Sequence, residues 1–294
     1  MPYLDNHLIT LNSSDAIQLN STYLSNVIFP FKGLLKDDVN IIRSYITLIN
    51  AQIPVSFYVI DSTNNVISAS FGGSLVNYYI PTGNYNATSL MAALSLLLQH
   101  NLTITFNTVD GTLTFTSTVY MTFSLNFNSP NGSGALLGFG NTSSYSTTVG
   151  VITSPYPINL LGRNKLFINS SNLNNVAYTS HNTGFSTCIS TIPINVPPYG
   201  LIQYSSLTDQ NKNILVNRVL DTIDIQVLDL NNNFVNFNNA NWSITLVLSI
   251  EKMDANKFHI QNFHNYLMND QPIQPEEIEL NPPKQDTDLE FLMG

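Results

Sequence analysis

The sequence predicts an all-β fold, in the form of a sandwich or a barrel. Alternation of apolar and polar residues, which is the pattern of half-buried strands, recurs from residue 40 to residue 250. Turn-forming residues separate the alternating runs, as in proteins built from many short strands. The chain has 294 residues, of which 43% are hydrophobic, so it can bury the core of one large β domain or two small ones.

The clearest alternating run spans residues 42–50. Ile42, Ser44 and Ile46 fall on one face with residues 48 and 50, and Arg43 falls on the other with residues 45, 47 and 49. The run is rich in β-branched and aromatic residues, which are typical of strands. The same pattern predicts further strands at 55–60, 66–71, 75–80, 102–107, 112–117, 121–127, 165–169, 187–194, 201–204, 222–228 and 242–250.

Two turns between these strands have recognisable chemistry. The loop 61–65 is rich in Asp, Asn, Ser and Thr. Asp110-Gly111 separates the runs 102–109 and 112–117, and both of its positions tolerate positive φ. The sequence therefore predicts a hairpin at Asp110-Gly111.

One segment departs from the β pattern. From Ala87 to Gln99 the apolar residues have helical spacing, and Asn86 or Thr88 can cap the start. We expect one amphipathic helix whose Leu and Met stripe packs against the strands, because a helix inserted in a β domain must bury one face.

The two ends differ from the middle, which divides the chain into three parts. Residues 1–30 are short polar and apolar mixtures, which we interpret as an N-terminal arm ordered against a neighbour. The β-sandwich domain with its insertions is expected at 31–258. Residues 259–294 form an acidic, Pro-containing tail, with six acidic residues between Glu276 and Glu290.

Charge is unusually scarce in this chain. Charged residues make up 10% of it, and Asp110 is the one charged residue between Asp61 and Arg163. An ordinary soluble domain carries roughly 25% charged residues, so we expect this neutral stretch to lie partly at interfaces with other protein. The net charge is −9, and the ten Lys and Arg residues are scattered. No nucleic-acid partner is therefore expected.

The sequence shows few of the patterns that are typical of secreted or membrane proteins. The single Cys188 excludes an intramolecular disulfide framework, and the first residues lack the pattern of a signal peptide. Asn-x-Ser/Thr triplets, among them Asn20, Asn86, Asn101 and Asn241, are expected by chance in a chain so rich in these residues. No apolar stretch reaches the ~18 residues of a membrane span. We expect folding and assembly inside a host cell and no membrane span.

Histidine and cysteine do not form a catalytic or metal-binding pattern. The five histidines are His7, His100, His181, His259 and His264. His259 and His264 lie five apart, which misses the spacing of a helical zinc site. Cys188 stands in an alternating run, where a small buried residue is expected rather than a nucleophile.

Two loops resemble binding motifs only in part. The run from Asp229 to Asn233 offers alternating oxygens like a calcium loop, but Phe234 and Ala240 stand where Gly and Glu are required. A hairpin loop is the preferred interpretation. The glycines from Gly132 to Gly140 lack phosphate-cradle spacing. The sequence therefore predicts no catalytic, cofactor-binding or metal-binding residues, no cofactor and no enzyme activity.

Several short blocks follow one another along the chain in a recognisable order and spacing. These blocks are NAQIPVSFYVIDSTNN (50–65), YIPTGNYN (79–86), Phe115 and Phe123, LLGF (136–139), Asn159-Leu160, LFI (166–168), IPI (192–194), IQY (202–204), Asp229, VNFN (235–238) and Trp242. Taken in order, they resemble the penton (minor capsid) proteins of virophages and of Maverick/Polinton-type elements. The resemblance covers about residues 8–250.

The resemblance implies a jelly-roll β-sandwich. Together with the residue patterns above, the expected fold class is all-β, a jelly-roll β-sandwich with one short inserted helix and an extended C-terminal tail, and the tail after Ile250 has no counterpart in the family. It implies a structural capsid protein of an icosahedral double-stranded DNA virus, present as a homopentamer at the five-fold vertices of the virion. Its partners would be copies of itself and neighbouring major capsid protein capsomers. Tyr85 and Phe139, in the neutral stretch, are hypothesised to lie at subunit interfaces.

The sequence is also compatible with other functions. The closest alternatives are another virion component, such as a cement protein or a receptor-binding spike. A carbohydrate-binding β-sandwich module is a second class, which the fourteen tyrosines and one tryptophan would permit. Spikes are typically trimers, so the mass of the assembly separates them from a penton, and glycan binding tests the second class.

Overall fold

The computed structural model describes residues 2–19, 23–140, 143–173, 177–178, 185–206 and 212–253. The tail expected at 259–294 and three of the histidines, His181, His259 and His264, lie outside these ranges. Within them the strands are β1 (Tyr3–Asn12), β2 (Ile17–Gln18), β3 (Asn26–Leu35), β4 (Ile41–Pro54), β5 (Val66–Phe71), β6 (Ser74–Tyr79), β7 (Thr103–Phe106), β8 (Leu113–Thr116), β9 (Phe123–Asn126), β10 (Ser144–Thr147), β11 (Val151–Thr153), β12 (Lys165–Asn169), β13 (Ala177–Tyr178), β14 (Phe185–Ser186), β15 (Cys188–Pro193), β16 (Leu201–Ser205), β17 (Asn213–Leu215), β18 (Leu220–Leu228) and β19 (Ser243–Lys252). The helix α1 spans Ala87–Leu98.

The two largest sheets form a jelly roll. One sheet has the order β1-β19-β4-β16, with β17 also paired to β4, and the other has the order β15-β12-β18-β3-β2. When β1, β3, β4, β12, β15, β16, β18 and β19 are numbered one to eight, the first sheet reads 1-8-3-6 and the second reads 5-4-7-2. This is the strand order of a double-sheet jelly roll made of two Greek keys, so the expected fold class is confirmed.

Side chains from the facing sheets fill the jelly-roll core. Alternate residues of β19, from Ile244 to Ile250, are buried and pack with Val27 and Phe29 of β3 and with Ile225 of β18. Alternation places these side chains on one face of each strand, so burying that face stabilises both sheets together. Register shifts in the pairing of β4 and β19, between Thr245 and Leu246 and between Glu251 and Lys252, mark bulges in the longest pair.

Trp242 closes one end of this core. Its side chain is 2% exposed and contacts the ring of Phe29 edge-on, with the centroids 6.3 Å apart. Its Nε1 donates to the Leu24 carbonyl at 2.9 Å, and its backbone N–H donates to Ser13 Oγ at 2.9 Å. A buried indole therefore fixes two segments of the N-terminal region against the sandwich.

The segment 1–30, expected to be an arm, contributes strands to both sheets. β1 pairs with β19 over ten residues, from Tyr3 opposite Lys252 to Asn12 opposite Ser243. Ile9 and Leu11 point into the core, whereas Leu8 is exposed. β1 is held by hydrogen bonds to a strand more than 200 residues away. The pattern of neighbouring residues therefore could not predict it.

A second, smaller unit is inserted between β4 and β12. It contains a four-stranded sheet (β10-β9-β5-β6), a three-stranded sheet (β11-β8-β7) and α1. These elements surround a separate cluster of buried side chains that includes Leu94, Phe115, Phe127 and Phe139. The inserted helix is confirmed, and seven strands accompany it.

The helix is capped by Asn86, one of the two caps that the sequence allows, and this cap is part of a capping box. Asn86 Oδ1 accepts from the Ser89 backbone N–H at 2.8 Å, and Ser89 Oγ accepts from the Asn86 N–H at 3.0 Å. Leu90, Leu94 and Leu98 are buried at i, i+4 spacing and pack into the second core.

Most predicted strands are present, with two differences. Residues 55–60 form an irregular segment with one bridge from Ile60 to Gly83, because these residues lead the chain out of the jelly roll. The hairpin at Asp110-Gly111 joins β7 and β8, but its loop is longer than two residues. Asn107 N–H donates to the Thr112 carbonyl at 2.9 Å, and Gly111 has a φ of 73°.

Candidate functional site

The four-stranded sheet of the insertion presents a charge-free outer face. The inward positions of β5 and β9 are Ile67, Ala69, Phe123 and Leu125, all of them buried. The alternate positions carry small hydroxyl and amide side chains that lie opposite one another across the strands. We call this surface the serine–asparagine face, defined by Ser70, Asn77, Ser124, Asn126, Ser144 and Ser146. Ser68 lies on the same side of the sheet but is buried, and its hydroxyl donates to Asn77 Oδ1 at 2.7 Å.

The face ends at a free strand edge. β6 pairs with β5 on one side, and no other strand of the described residues pairs with its second side. Gly72 and Gly73, with φ values of 62° and 100°, form the two-residue turn before β6. In such a hairpin the pair that closes the turn is hydrogen-bonded, so the N–H groups of Leu75, Asn77 and Tyr79 point to the open side.

The β6 edge is also apolar. Leu75 and Tyr79 are each 60% exposed, and Val76 is 43% exposed. Free edges in soluble proteins are usually protected by charge, proline or bulges. The edge strand β1 follows this rule, because Asp5 lies 3.1 Å from Lys252 Nζ and 3.3 Å from His7 Nε2. β6 contains none of these protections, which is typical of an edge that another chain covers.

Arg163 fixes the insertion to the jelly roll. Its Nη2 donates to Asp61 Oδ2 at 3.0 Å, its Nε to Asp229 Oδ2 at 3.3 Å and its Nη1 to the Tyr58 carbonyl at 3.1 Å. The guanidinium also lies 5.7 Å from the ring centroid of Phe57. Asp61 belongs to the chain that enters the insertion, and Asp229 belongs to the loop after β18, so one cation joins the two units.

The electrostatics of this ion pair favour the charged form of Asp61. Burial alone would raise the pKa of Asp61. The hydroxyl and backbone N–H of Thr63, together with the Arg163 guanidinium, outweigh burial and hold the pKa below its ordinary value. The insertion is therefore attached by an ionised pair that holds its orientation.

A groove of about 760 Å³ runs beside Arg163, between the two units. Its lining is mostly amide side chains and backbone, including Asn64, Asn131, Asn159 and Asn233. The charged groups in it, Arg163 and Asp229, already bind each other. The groove is therefore neutral, like the rest of the insertion.

The structure overturns one proposed interface residue. Phe139 is 2% exposed and stacks on Phe127 with centroids 4.8 Å apart, so it belongs to the core of the insertion. Gly138 beside it has a φ of 80° and packs against the Tyr156 carbonyl, which leaves no room for a side chain. The run 136–139 therefore packs in the core of the insertion. The sequence could not show this, because uncharged residues are equally typical of a buried core and of a protein interface.

Tyr85 is half-buried rather than freely exposed. Its hydroxyl donates to the Pro81 carbonyl at 2.7 Å, and burial raises the pKa of this phenol. Leu75, Val76 and Tyr79 were missed as interface candidates. The signal that could have found them is the Gly72-Gly73 turn followed by an uncharged strand, which is a hairpin signature.

The other candidate residues lie apart from one another. His7 is on β1, and His100 follows α1. Cys188 on β15 is half-buried, its Sγ lies 3.4 Å from the Ser190 carbonyl, and burial raises the pKa of the thiol. Within the described ranges, no group of three or more His, Cys, Asp or Glu side chains is placed to hold a metal ion.

The loop that resembles a calcium site is a turn between β18 and β19. Asp229 Oδ1 accepts from the backbone N–H of Asn231 at 2.9 Å and of Asn233 at 3.0 Å, while Oδ2 faces Arg163. Both oxygens are therefore used within the protein, as expected for a hairpin loop. Among the described residues, no helix has the length and apolarity to cross a membrane.

Comparisons with known proteins find likeness at the level of solved structures. No protein-family model matches the chain, and no curated protein matches it. The mavirus penton protein is 12% identical with a TM-score of 0.43, and the match covers 83% of this chain and 100% of that one. A chain of the Sputnik virophage structure is 11% identical with a TM-score of 0.40, covering 84% and 98%.

A third solved structure is VP17, a capsid protein of bacteriophage P23-77. It is 8% identical with a TM-score of 0.21, and the match covers 86% of this chain and 100% of that one. The first of these structures is a penton protein by name, which is the kind of protein that the sequence resemblance names. The jelly-roll assignment of this chain stands on its own strand order rather than on these scores.

Proposed function

We propose that this chain is a non-catalytic structural protein of a virus capsid. It forms the homopentameric penton at the five-fold vertices of an icosahedral double-stranded DNA virus particle, beside major capsid protein capsomers. The jelly roll alone does not decide this, because the fold has many functions. The observation that carries the proposal is an exposed, uncharged strand edge beside a charge-free sheet face, attached rigidly to the jelly roll.

The β6 edge suits a ring of identical subunits. A ring closes through contacts in which each subunit presents two different surfaces to its neighbours. An open strand edge supplies main-chain hydrogen bonds, and Leu75 and Tyr79 supply apolar area beside it. The serine–asparagine face adds hydrogen-bonding groups without the cost of burying a charge.

The decisive measurement is the mass of the purified full-length chain in solution. A penton has five times the 32.6 kDa mass of the chain, and native mass spectrometry together with electron microscopy of rings would show it. A trimer supports the spike alternative instead. A protein that stays monomeric at all concentrations overturns the proposal.

A proline substitution tests whether β6 forms the contact. Leu75→Pro removes an N–H that points away from β5, so the hairpin keeps its ladder while the free edge loses a donor. Leu75→Val keeps the N–H and an apolar side chain and is the matched control. We expect Leu75→Pro to give folded monomers and Leu75→Val to assemble. Equal assembly of the two variants would remove β6 from the interface.

The proposal assigns different roles to different parts of the chain. We propose that the jelly roll with its insertion is the assembling domain, that the strands of segment 1–30 are part of it in addition to the expected range 31–258, and that segment 259–294 is a separate tail.

The carbohydrate-binding alternative predicts an exposed aromatic groove. The one tryptophan is buried in the core. Among the described residues the exposed tyrosines are Tyr3 and Tyr79, which lie on two different edge strands, and Tyr156 and Tyr199, which lie in two different loops. A glycan screen tests that alternative directly.

A further inference from the structure

A small cleft with mixed polar and aliphatic walls lies at the end of the jelly roll where the β3–β4 connection is found. It measures about 250 Å³, between the start of β4 and the residues that follow β17. Pockets for small ligands are larger, from about 300 Å³ upward. This cleft is therefore sized for side chains of a polypeptide.

Aliphatic side chains, two arginines and the acidic Asp37 line the cleft. Ile41 and Ile42 of β4 belong to the lining together with Ile214 and Val216, and the last two are 56% and 61% exposed. Exposed aliphatic side chains grouped around a concave surface are typical of a protein-binding site. The cleft thus lacks a covering segment among the described residues.

The arginines Arg43 and Arg218 flank these aliphatic side chains. The Arg43 side chain makes no ion pair or hydrogen bond with the described residues, although Glu251 lies opposite it in the strand register. Arg218 lies 3.8 Å from Asp37, and both side chains are mostly exposed, at 74% and 65%. Exposed pairs of this kind are weak, so both guanidinium groups are available to an acidic partner.

The chain itself continues from this end of the molecule. β19 ends with Lys252 opposite Ile41, and the backbone N–H of Met253 donates to the Asn40 carbonyl at 2.8 Å. Residues 254–294 follow. The 23 residues from Met253 to Glu276 can span up to about 75 Å. The linker starts beside the cleft, so it is long enough for the segment after it to contact the cleft.

The tail has a sequence that complements the cleft. Glu277-Ile278-Glu279-Leu280 alternates acidic and aliphatic residues, which in an extended chain places the two kinds on opposite faces. The segment 276–290 contains six acidic residues and one lysine. It therefore offers aliphatic side chains to the aliphatic walls of the cleft and carboxylates to its arginines.

We propose that segment 276–290 docks into this cleft of its own chain. Ile278 and Leu280 contact the aliphatic walls, and the flanking glutamates pair with Arg43 and Arg218. Docking within one chain is favoured because the tether keeps the effective concentration of the segment high. This inference is independent of the proposed capsid function, because it requires a single subunit.

Hydrogen exchange of the full-length protein, followed by mass spectrometry, tests the proposal. In the wild type we expect slowed exchange of the amides 276–281. The double variant R43E/R218E should lose this protection, and exchange should speed up by about tenfold, the effect of roughly 1.4 kcal/mol. Adding E277K/E279K to that variant should restore protection through reversed pairing.

Controls separate docking from general charge effects and from contacts between subunits. Lys165→Glu changes a cation on another part of the jelly roll and should leave tail protection unchanged. Protection should not depend on protein concentration. Unprotected tail amides in the wild type, protection insensitive to R43E/R218E, or protection that grows with concentration would each overturn docking within the chain.

Discussion

Arg163 Nη2 lies 3.0 Å from Asp61 Oδ2, and these two residues stand 102 positions apart at the two ends of the insertion. The same guanidinium also contacts Asp229 of the jelly roll. Arg163 and Asp61 therefore close the loop that carries the second core, and they set its orientation on the first.

Arg163→Ala should destabilise the protein by about 3 kcal/mol, because it leaves two partly buried carboxylates and the Tyr58 carbonyl without their donor. Urea unfolding followed by circular dichroism measures this. Arg218→Ala, at an exposed pair, is the control and should change the free energy of unfolding by less than about 0.5 kcal/mol. Equal effects of the two substitutions would contradict the assigned role of Arg163.

The lowered pKa of Asp61 predicts a pH dependence. A carboxyl group whose folded-state pKa lies below its unfolded value of 3.8 stabilises the folded state fully at higher pH. That contribution is lost as the pH falls through the folded pKa. The difference in unfolding free energy between the wild type and Asp61→Asn should be constant above about pH 5 and shrink below about pH 4. A difference that is flat down to pH 3 would contradict this.

Phe139→Lys should disrupt the insertion rather than leave a folded, unassembled subunit. The ring stacks on Phe127 and meets Tyr145 edge-on, with centroid distances of 4.8 Å each. A buried unpaired ammonium costs more than the roughly 3–5 kcal/mol of a Phe→Ala change. Limited proteolysis should cut this variant within the insertion. Phe139→Leu is the matched control, and wild-type protease resistance in Phe139→Lys would show that the residue is not in the core.

The single tryptophan should report on the jelly-roll core alone. Trp242 is buried, so its emission should shift to longer wavelength only when that core opens. Trp242→Phe removes the hydrogen bond to the Leu24 carbonyl and part of the packing on Phe29, which should cost about 2 kcal/mol. Thermal unfolding by circular dichroism measures the loss. An unchanged midpoint would mean that the indole does not anchor the N-terminal segment.

The sequence by itself determined the local features of this protein. Alternation located β5 and β12 at their observed bounds, and helical spacing with the Asn86 cap located α1, since these patterns depend on neighbours within a few residues. The jelly-roll assignment came from the resemblance of ordered blocks and agrees with the observed strand order.

Tertiary structure decided what depends on distant partners. Strand β1 exists because β19 pairs with it, and the second core exists because two small sheets and α1 close over Phe127 and Phe139. Alternation shows that a strand has two faces but does not show which neighbours cover them. For that reason Phe139 was predicted at an interface and is buried, whereas Leu75 and Tyr79 were passed over and are exposed at a free edge.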